Sequence, residues 1–322
     1  MPNNPKFDLT TLGEILLRQS VSPGQRLETA SRLDIQPAGA EANVAVALSR
    51  LGRSCGWVGG LPQHAIGRLV TNHLRLANVN LDGVIWCKNK RLGTYYIEFT
   101  GPPRPVTVIY DRADSCTSNL TPEQINWNYL LNSRLLHLTG ITPALSESCR
   151  QVVTEAITRA KTAGIPISFD INYRSKLWSE REAEMVLTPL IQNIDLLFCG
   201  QADAFQIFGI SGTPEQIVNR VADKSRAKNI VVTLGGKGVI AWDGQTYHYA
   251  KALPVQIIDR LGAGDALAAG IIHGWLDNDL AQGVRYGVTL AALALSQHGD
   301  FLVTTKEEVL SLLDNIEGGV SR

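Results

Sequence analysis

The sequence predicts an α/β fold with a doubly wound, mostly parallel sheet flanked by helices, carrying a second, small β-sheet. Three observations predict it. Short apolar runs rich in β-branched residues recur along the chain, segments of helical period stand between them, and the runs are apolar throughout instead of alternating. Uninterrupted apolar strands are expected where helices cover both faces of a parallel sheet. The runs fall at residues 7–12, 55–58, 135–139, 165–170, 196–199 and 230–234, with helices expected over 41–51, 146–163 and 266–276. Ligands on such sheets bind beyond the carboxyl ends of the strands, so the loops after Leu12, Thr139, Phe169, Cys199 and Leu234 are the places to look.

Two stretches depart from this scheme. Residues 15–36 and 92–112 have no helical period; Tyr95, Ile97 and Phe99, then Val106, Val108 and Tyr110, alternate around the turn GPPRP. They are expected to form the small sheet, a lid on one α/β domain spanning residues 1–322. Such a lid would exclude water from a site or pair with another copy of the chain, giving a homo-oligomer.

Composition narrows the function classes. Lys+Arg and Asp+Glu number 30 each in 322 residues, so no overall field attracts nucleic acid or an anionic membrane. No run approaches 18 apolar residues and no leader-like segment opens the chain, which leads us to expect a cytoplasmic protein with no membrane partner. The five cysteines, Cys55, Cys87, Cys116, Cys149 and Cys199, are widely spaced without a C-x-x-C pair and read as reduced, mostly buried residues.

The run Ile257-Ile258-Asp259-Arg260-Leu261-Gly262-Ala263-Gly264-Asp265-Ala266 reads as a strand passing through a glycine turn into a small-residue helix. Unpaired amides at a helix start bind a phosphate or a developing oxyanion. Asp265, in the first turn, is placed to take a proton from a substrate hydroxyl while the amides of Gly262, Ala263 and Gly264 neutralise a transferring phosphoryl group. Taken alone, the run also fits a glycine turn with Asp265 as a helix cap. Upstream, the run ending at Thr233 and Leu234 leads into Gly235-Gly236-Lys237-Gly238, which offers close backbone approach and one cation, or simply a tight hairpin. The G-x-x-x-x-G-K-[ST] spacing is absent, which argues against a P-loop kinase.

Together these runs resemble a known family. D-x-x-G-A-G-D-A is similar to the C-terminal signature of the ribokinase-like (phosphofructokinase B) sugar kinases. Pro37-Ala38-Gly39-Ala40-Glu41-Ala42-Asn43-Val44-Ala45, followed by Leu48-Ser49-Arg50-Leu51-Gly52, resembles their N-terminal sugar-binding signature, and Val231 to Gly238 resembles their nucleotide loop. The resemblance implies ATP and Mg²⁺, leaves a monovalent cation open, and implies Asp265 as catalytic base. It also implies that Gly39 and Asn43 face the sugar, and that Asn172, Thr233, Gly235, Gly236, Lys237, Gly238 and Val288 line the nucleotide.

Within the family, His137 to Ser146, Phe169 to Arg174 with Leu177-Trp178, and Tyr110-Asp111-Arg112 look most like 2-keto-3-deoxygluconate kinases. That likeness implies that Tyr95, Tyr110, Arg112, Arg174 and Asp300 line the sugar site, where an arginine fork would hold the carboxylate of a sugar acid. A fructokinase or other neutral-sugar kinase is the alternative, since Arg174 then serves phosphate; a non-catalytic sugar or nucleotide sensor is a third reading. Three positions depart from the family pattern. Gly200-Gln201-Ala202-Asp203 replaces an Asn-x-x-Glu element, leaving Asp203 to organise the metal through water, while His64 and Val288 stand where other residue types are usual. His64, His137 and His298 have no metal-ligand spacing.

Overall fold

The computed structural model describes residues 5–100 and 103–317. Strand β1 (Phe7–Leu12) is an inner strand of a nine-stranded sheet, paired with a neighbour on each side and buried on both faces, where Phe7, Leu9 and Leu12 pack beside the buried hydroxyls of Thr10 and Thr11. Two further strands bordering the site segments of the small sheet are β2 (Leu16–Ser20) and β3 (Asp34–Ala38). The main sheet continues with β4 (Cys55–Pro62) and β5 (Val84–Cys87); the small sheet is completed by β6 (Thr94–Glu98) and β7 (Thr107–Asp111). The remaining main-sheet strands are β8 (Ser133–Thr139), β9 (Ile167–Asp170), β10 (Leu196–Gly200), β11 (Asn229–Thr233), β12 (Val239–Trp242) and β13 (Tyr247–Ala250). Their spatial order is β13-β12-β11-β10-β9-β8-β1-β4-β5, with every pairing parallel except β11 with β12 and β12 with β13.

The period of two explains the apolar runs. Leu135, Leu196, Phe198 and Val231 face one core, while their neighbours Leu136, Leu197, Cys199 and Ile230 face the other. Helices Ala40–Arg50, Ala263–Trp275 and Leu280–Leu295 cover the first face, and Glu147–Ala163 and Glu180–Leu190 the second. The helix carrying the glycine motif is held tightly. A Cβ on Gly270 would stand 2.4 Å from the Gly287 amide nitrogen, so the two helices pack backbone against backbone.

The small sheet has the order β3-β2-β6-β7, with β2 and β6 parallel and the other pairs antiparallel. Leu16, Ala38, Tyr95 and Ile97 form its own buried cluster, while Ile35, Val106 and Ile109 are exposed. Gly101 and Pro102 of the expected GPPRP turn lie outside the described residues.

Several features differ from expectation. Three four-residue strands of the main sheet fall outside the expected runs: the edge strands β5 and β13, whose residues are all partly exposed, and β12, a buried Val-Ile-Ala-Trp run that returns antiparallel to β11. Residues Ile257 and Ile258 are not a strand: both are exposed, and the Ile258 amide donates to the Leu295 carbonyl at 2.8 Å, tying an irregular segment to a helix end. Gly235 to Lys237 form one 3₁₀ turn between β11 and β12. The glycine loop is therefore also the hairpin that its residues alone allowed.

Candidate active site

The carboxyl ends of β1, β8, β9, β10 and β11 and the start of helix Ala263–Trp275 converge on one cleft beneath the small sheet. Gly262 caps that helix with φ +78°, a left-handed conformation that favours glycine, and a Cβ there would lie 2.5 Å from the Asp300 carbonyl oxygen. Glycine at this position lets the chain turn and leaves the following amides facing the cleft. Asp265 sits in the first helical turn, and its Oδ2 accepts a 2.6 Å hydrogen bond from Asn43 Nδ2. Burial pushes the Asp265 carboxyl up to about 7, opposed by Asn43 and Arg174 and reinforced by the charges of Asp300 and Glu41. A carboxylate of that affinity is suited to accept a proton near neutral pH.

On the small-sheet side of Asp265 lies a cavity of about 90 Å³. Gly39, Asn43, Tyr95, Tyr110, Arg112, Arg174, Asp265 and Asp300 all line it, so the residues proposed from sequence for the sugar are brought together. Asn43 is fixed from below, donating its amide to the Gly39 carbonyl at 2.7 Å, while its Oδ1 accepts from the Gly39 amide at 3.3 Å. Tyr95 donates its hydroxyl to Asp300 Oδ1 at 2.9 Å, and its ring lies 5.6 Å from that of Tyr110. Arg174 is exposed and borders this cavity, the phosphate-side cavity and a wider outer cavity of about 670 Å³.

On the other side of Asp265, a cavity of about 470 Å³ contains Asp170, Asn172, Gly200, Asp203, Thr233, Arg260 and the glycine turn. Asn172 adopts φ +43°, which folds its amide and side chain back onto the Asp170 carboxylate at 3.2 and 3.1 Å. Burial raises Asp170 to about 8, with the charges of Asp265 and Asp203 adding to it. Burial also raises Asp203, opposed by the Tyr173 amide that donates to its Oδ2 at 3.3 Å and by Arg174. Next to this lies a cavity of about 310 Å³, bordered by Thr233, Gly235, Gly236, Gly238, Gly264, Leu267 and Val288 and largely apolar. Lys237 is the exception among the sequence candidates: its side chain is exposed and borders none of these cavities.

Sequence reasoning gave no role to Glu14, Arg18, Asp259, Arg260 or Asp170. Glu14 is buried; its Oε2 accepts from Arg112 Nε at 2.8 Å and from Nη2, and its Oε1 accepts from the Ser115 hydroxyl. One edge of the Arg112 fork is thus already occupied. Glu41, also buried, accepts from the hydroxyls of Thr139 and Thr142 at 2.7 Å each, and burial raises its carboxyl. The available signal was Glu14 and Arg18 flanking the apolar Ile15-Leu16-Leu17, since charges bracketing a buried strand must find partners.

A catalytic-type carboxylate at a glycine turn, standing between a small polar cavity and an extended one with an apolar end, is the arrangement of a phosphotransferase acting on a small hydroxylic substrate. The model of the pfkB family of carbohydrate kinases matches residues 1–306, and the chain belongs to that family. It is 36% identical to a 2-dehydro-3-deoxygalactonokinase of Haloferax volcanii over 98% of this chain and 99% of that one. It is 30% identical to a 2-dehydro-3-deoxygluconokinase of Bacillus subtilis, covering 96% of each. Among solved structures, a 2-dehydro-3-deoxygluconokinase from Thermotoga maritima superposes with TM-score 0.91 at 30% identity, covering 97% of this chain and 99% of that one. The ribokinase-like fold is shared at TM-score 0.87 and 21% identity with an Escherichia coli protein described as a putative ribokinase II in complex with ATP and Mg²⁺, covering 96% of this chain and 99% of that one. The chain is a carbohydrate kinase, and among its described residues no helix is long and apolar enough to cross a membrane.

Proposed function

We propose that this kinase phosphorylates a 2-keto-3-deoxy sugar acid with ATP, using Asp265 as the base. The observation that carries the reading is Asp265 standing between the two cavities with Arg112 and Arg174 on the sugar side. An open-chain sugar acid fits the smaller cavity with its carboxylate towards the two guanidinium groups, whose charged hydrogen bonds select an acid over a neutral ketose. Asp265 removes the proton from the attacking hydroxyl as its oxygen bonds to the γ-phosphorus. The bond from that phosphorus to the β,γ-bridging oxygen breaks, and ADP leaves with the electron pair. Amides of Gly262 to Gly264 stabilise the charge spread over the transferring group. The purine occupies the apolar cavity beside Val288 and Leu267.

Mg²⁺ fits the phosphate-side cavity by donor chemistry. Asp170 and Asp203 supply hard oxygen atoms, while among the described residues no group of three or more His, Cys, Asp or Glu side chains forms a direct cage. The ion would be held by the ATP phosphates and through water by these two carboxylates, neutralising phosphate charge. A monovalent-cation requirement would be read as a loss of rate on replacing K⁺ with choline. The exposed Ile35, Val106 and Ile109 on the small sheet support pairing of two copies through that sheet, and five unpaired cysteines fit a reducing, cytoplasmic compartment.

The alternative neutral-sugar reading has one observation in its favour, the Glu14 carboxylate already filling one edge of Arg112. An ADP-release assay across 2-keto-3-deoxygluconate, 2-keto-3-deoxygalactonate and fructose separates the two. Turnover of a keto-deoxy acid at 10-fold or higher kcat/KM than fructose is expected; equal or better turnover of fructose overturns the acid reading.

A further inference from the structure

Arg18 is among the most deeply buried cations of the molecule, at 1% exposure, yet it lies on β2 of the small sheet, behind Asp300 and Tyr95 of the sugar-side cavity and not in its lining. Its guanidinium spans two carboxylates from distant parts of the chain. Nη1 donates to Asp300 Oδ1 at 2.7 Å and Nη2 donates to Asp259 Oδ2 at 2.5 Å. Asp259 is in turn built into the glycine turn: its Oδ1 accepts from the Leu261 amide at 3.1 Å, and its Oδ2 also accepts from the Gly299 amide at 3.2 Å. Asp300 belongs to the sugar side, where Tyr95 adds a second hydrogen bond to the same Oδ1. The guanidinium carbon lies 5.2 Å from the centre of the Phe99 ring, a cation–π contact.

From this juxtaposition we infer that Arg18 is a positioning residue that fixes the distance between the sugar's hydroxyl acceptor and the anion-binding turn. Both protein hydrogen bonds to Asp300 fall on Oδ1, which leaves Oδ2 to accept from a sugar hydroxyl. Around that carboxyl stand the Arg18 cation, the neutral Tyr95 hydroxyl and the carboxyl groups of Asp259 and, across the cavity, Asp265; burial raises the Asp300 carboxyl, and Arg18 is the cation that opposes the rise. Because the same guanidinium anchors Asp259, a shift of the small sheet on sugar binding is transmitted to the amides of the glycine turn. The small sheet thereby contributes to phosphoryl transfer through a residue that touches neither substrate. A lysine cannot substitute, since a single ammonium on a flexible stem does not span two carboxylates in a fixed plane.

The inference rests on the kinase reading of this site but not on which sugar is used, so the test employs whichever substrate the screen finds best. Arg18→Lys and Arg18→Met are compared with the parent for kcat, for KM of sugar and of ATP separately, and for folding by circular dichroism. A positioning role predicts a sugar KM raised 10-fold or more and kcat lowered 10-fold or more, with the ATP KM within threefold, because the purine cavity does not touch Arg18. Arg18→Lys should recover folding but not the sugar KM. Folded variants with sugar KM and kcat within twofold of the parent, or equal losses in both KM values, overturn the inference. Failure of both variants to fold also overturns it, marking Arg18 as a core residue alone. If the parent turns over no sugar, the kinase reading itself falls first.

Discussion

Replacing Asp265 by asparagine removes a carboxyl whose proton affinity folding has raised from 3.8 to about 7, chiefly by burial. A group with a raised folded-state pKa holds its proton more tightly in the folded protein. The stability this confers is complete below the unfolded value and is lost as pH rises through about 7. Between about pH 5 and pH 8, the parent therefore loses roughly 3 kcal/mol through this residue, at about 1.4 kcal/mol per pH unit over the part of the titration that lies in that window. Asparagine keeps the shape and the contact with Asn43 but does not ionise, so Asp265→Asn should gain that amount on the parent across the window. For a chain of this size the gain corresponds to roughly 5 °C in melting temperature. Asp170 reinforces the effect, because removing the Asp265 charge also lowers its carboxyl from about 8. The assay is ligand-free thermal or denaturant unfolding of both proteins at the two pH values. An Asp265→Asn advantage of the same size at both would refute the idea that a desolvated carboxyl of raised proton affinity occupies this site.

Three other outcomes follow from the same geometry. Asn43→Ala removes the 2.6 Å donor that lowers the Asp265 pKa, so the acid limb of kcat/KM should move up by roughly one pH unit, measured by steady-state pH profiles; an unmoved limb counts against the pairing. Gly262→Ala places a Cβ 2.5 Å from the Asp300 carbonyl at φ +78°, and should cost roughly 100-fold in kcat while leaving ATP binding by calorimetry nearly intact. Arg174→Ala removes an exposed guanidinium at the junction of the cavities, and should raise the KM for a sugar acid by roughly 10- to 100-fold with little change for a neutral ketose, in the same coupled assay.

Much of the fold was legible because its signals are local. A strand apolar on both faces, such as Leu196–Gly200, reads directly from the chain, and a glycine turn before Asp265 announces a helix start with free amides. The main-sheet edges at Val84–Cys87 and Tyr247–Ala250 did not read, since each is a strand of only four residues, too short to establish a period. Ile257 and Ile258 misled: β-branched residues suggested a strand where the backbone instead follows the end of helix Leu280–Leu295. The site residues named from motifs lie around one cleft, apart from Lys237. What sequence could not provide was the pairing of distant charges. Arg18 is 241 positions from Asp259 and 282 from Asp300, and Glu14 is 98 from Arg112, so only the folded chain shows that these buried groups neutralise one another.

The central claim, that Asp265 takes the proton during phosphoryl transfer, is tested most directly by rapid-quench measurement of a single turnover with Asp265→Asn, ATP, Mg²⁺ and the best sugar substrate. The account predicts that both substrates bind within about threefold of the parent while transfer slows by roughly 10²- to 10⁴-fold, the range expected for loss of a general base. Transfer at the parent's rate by the folded asparagine variant would contradict it.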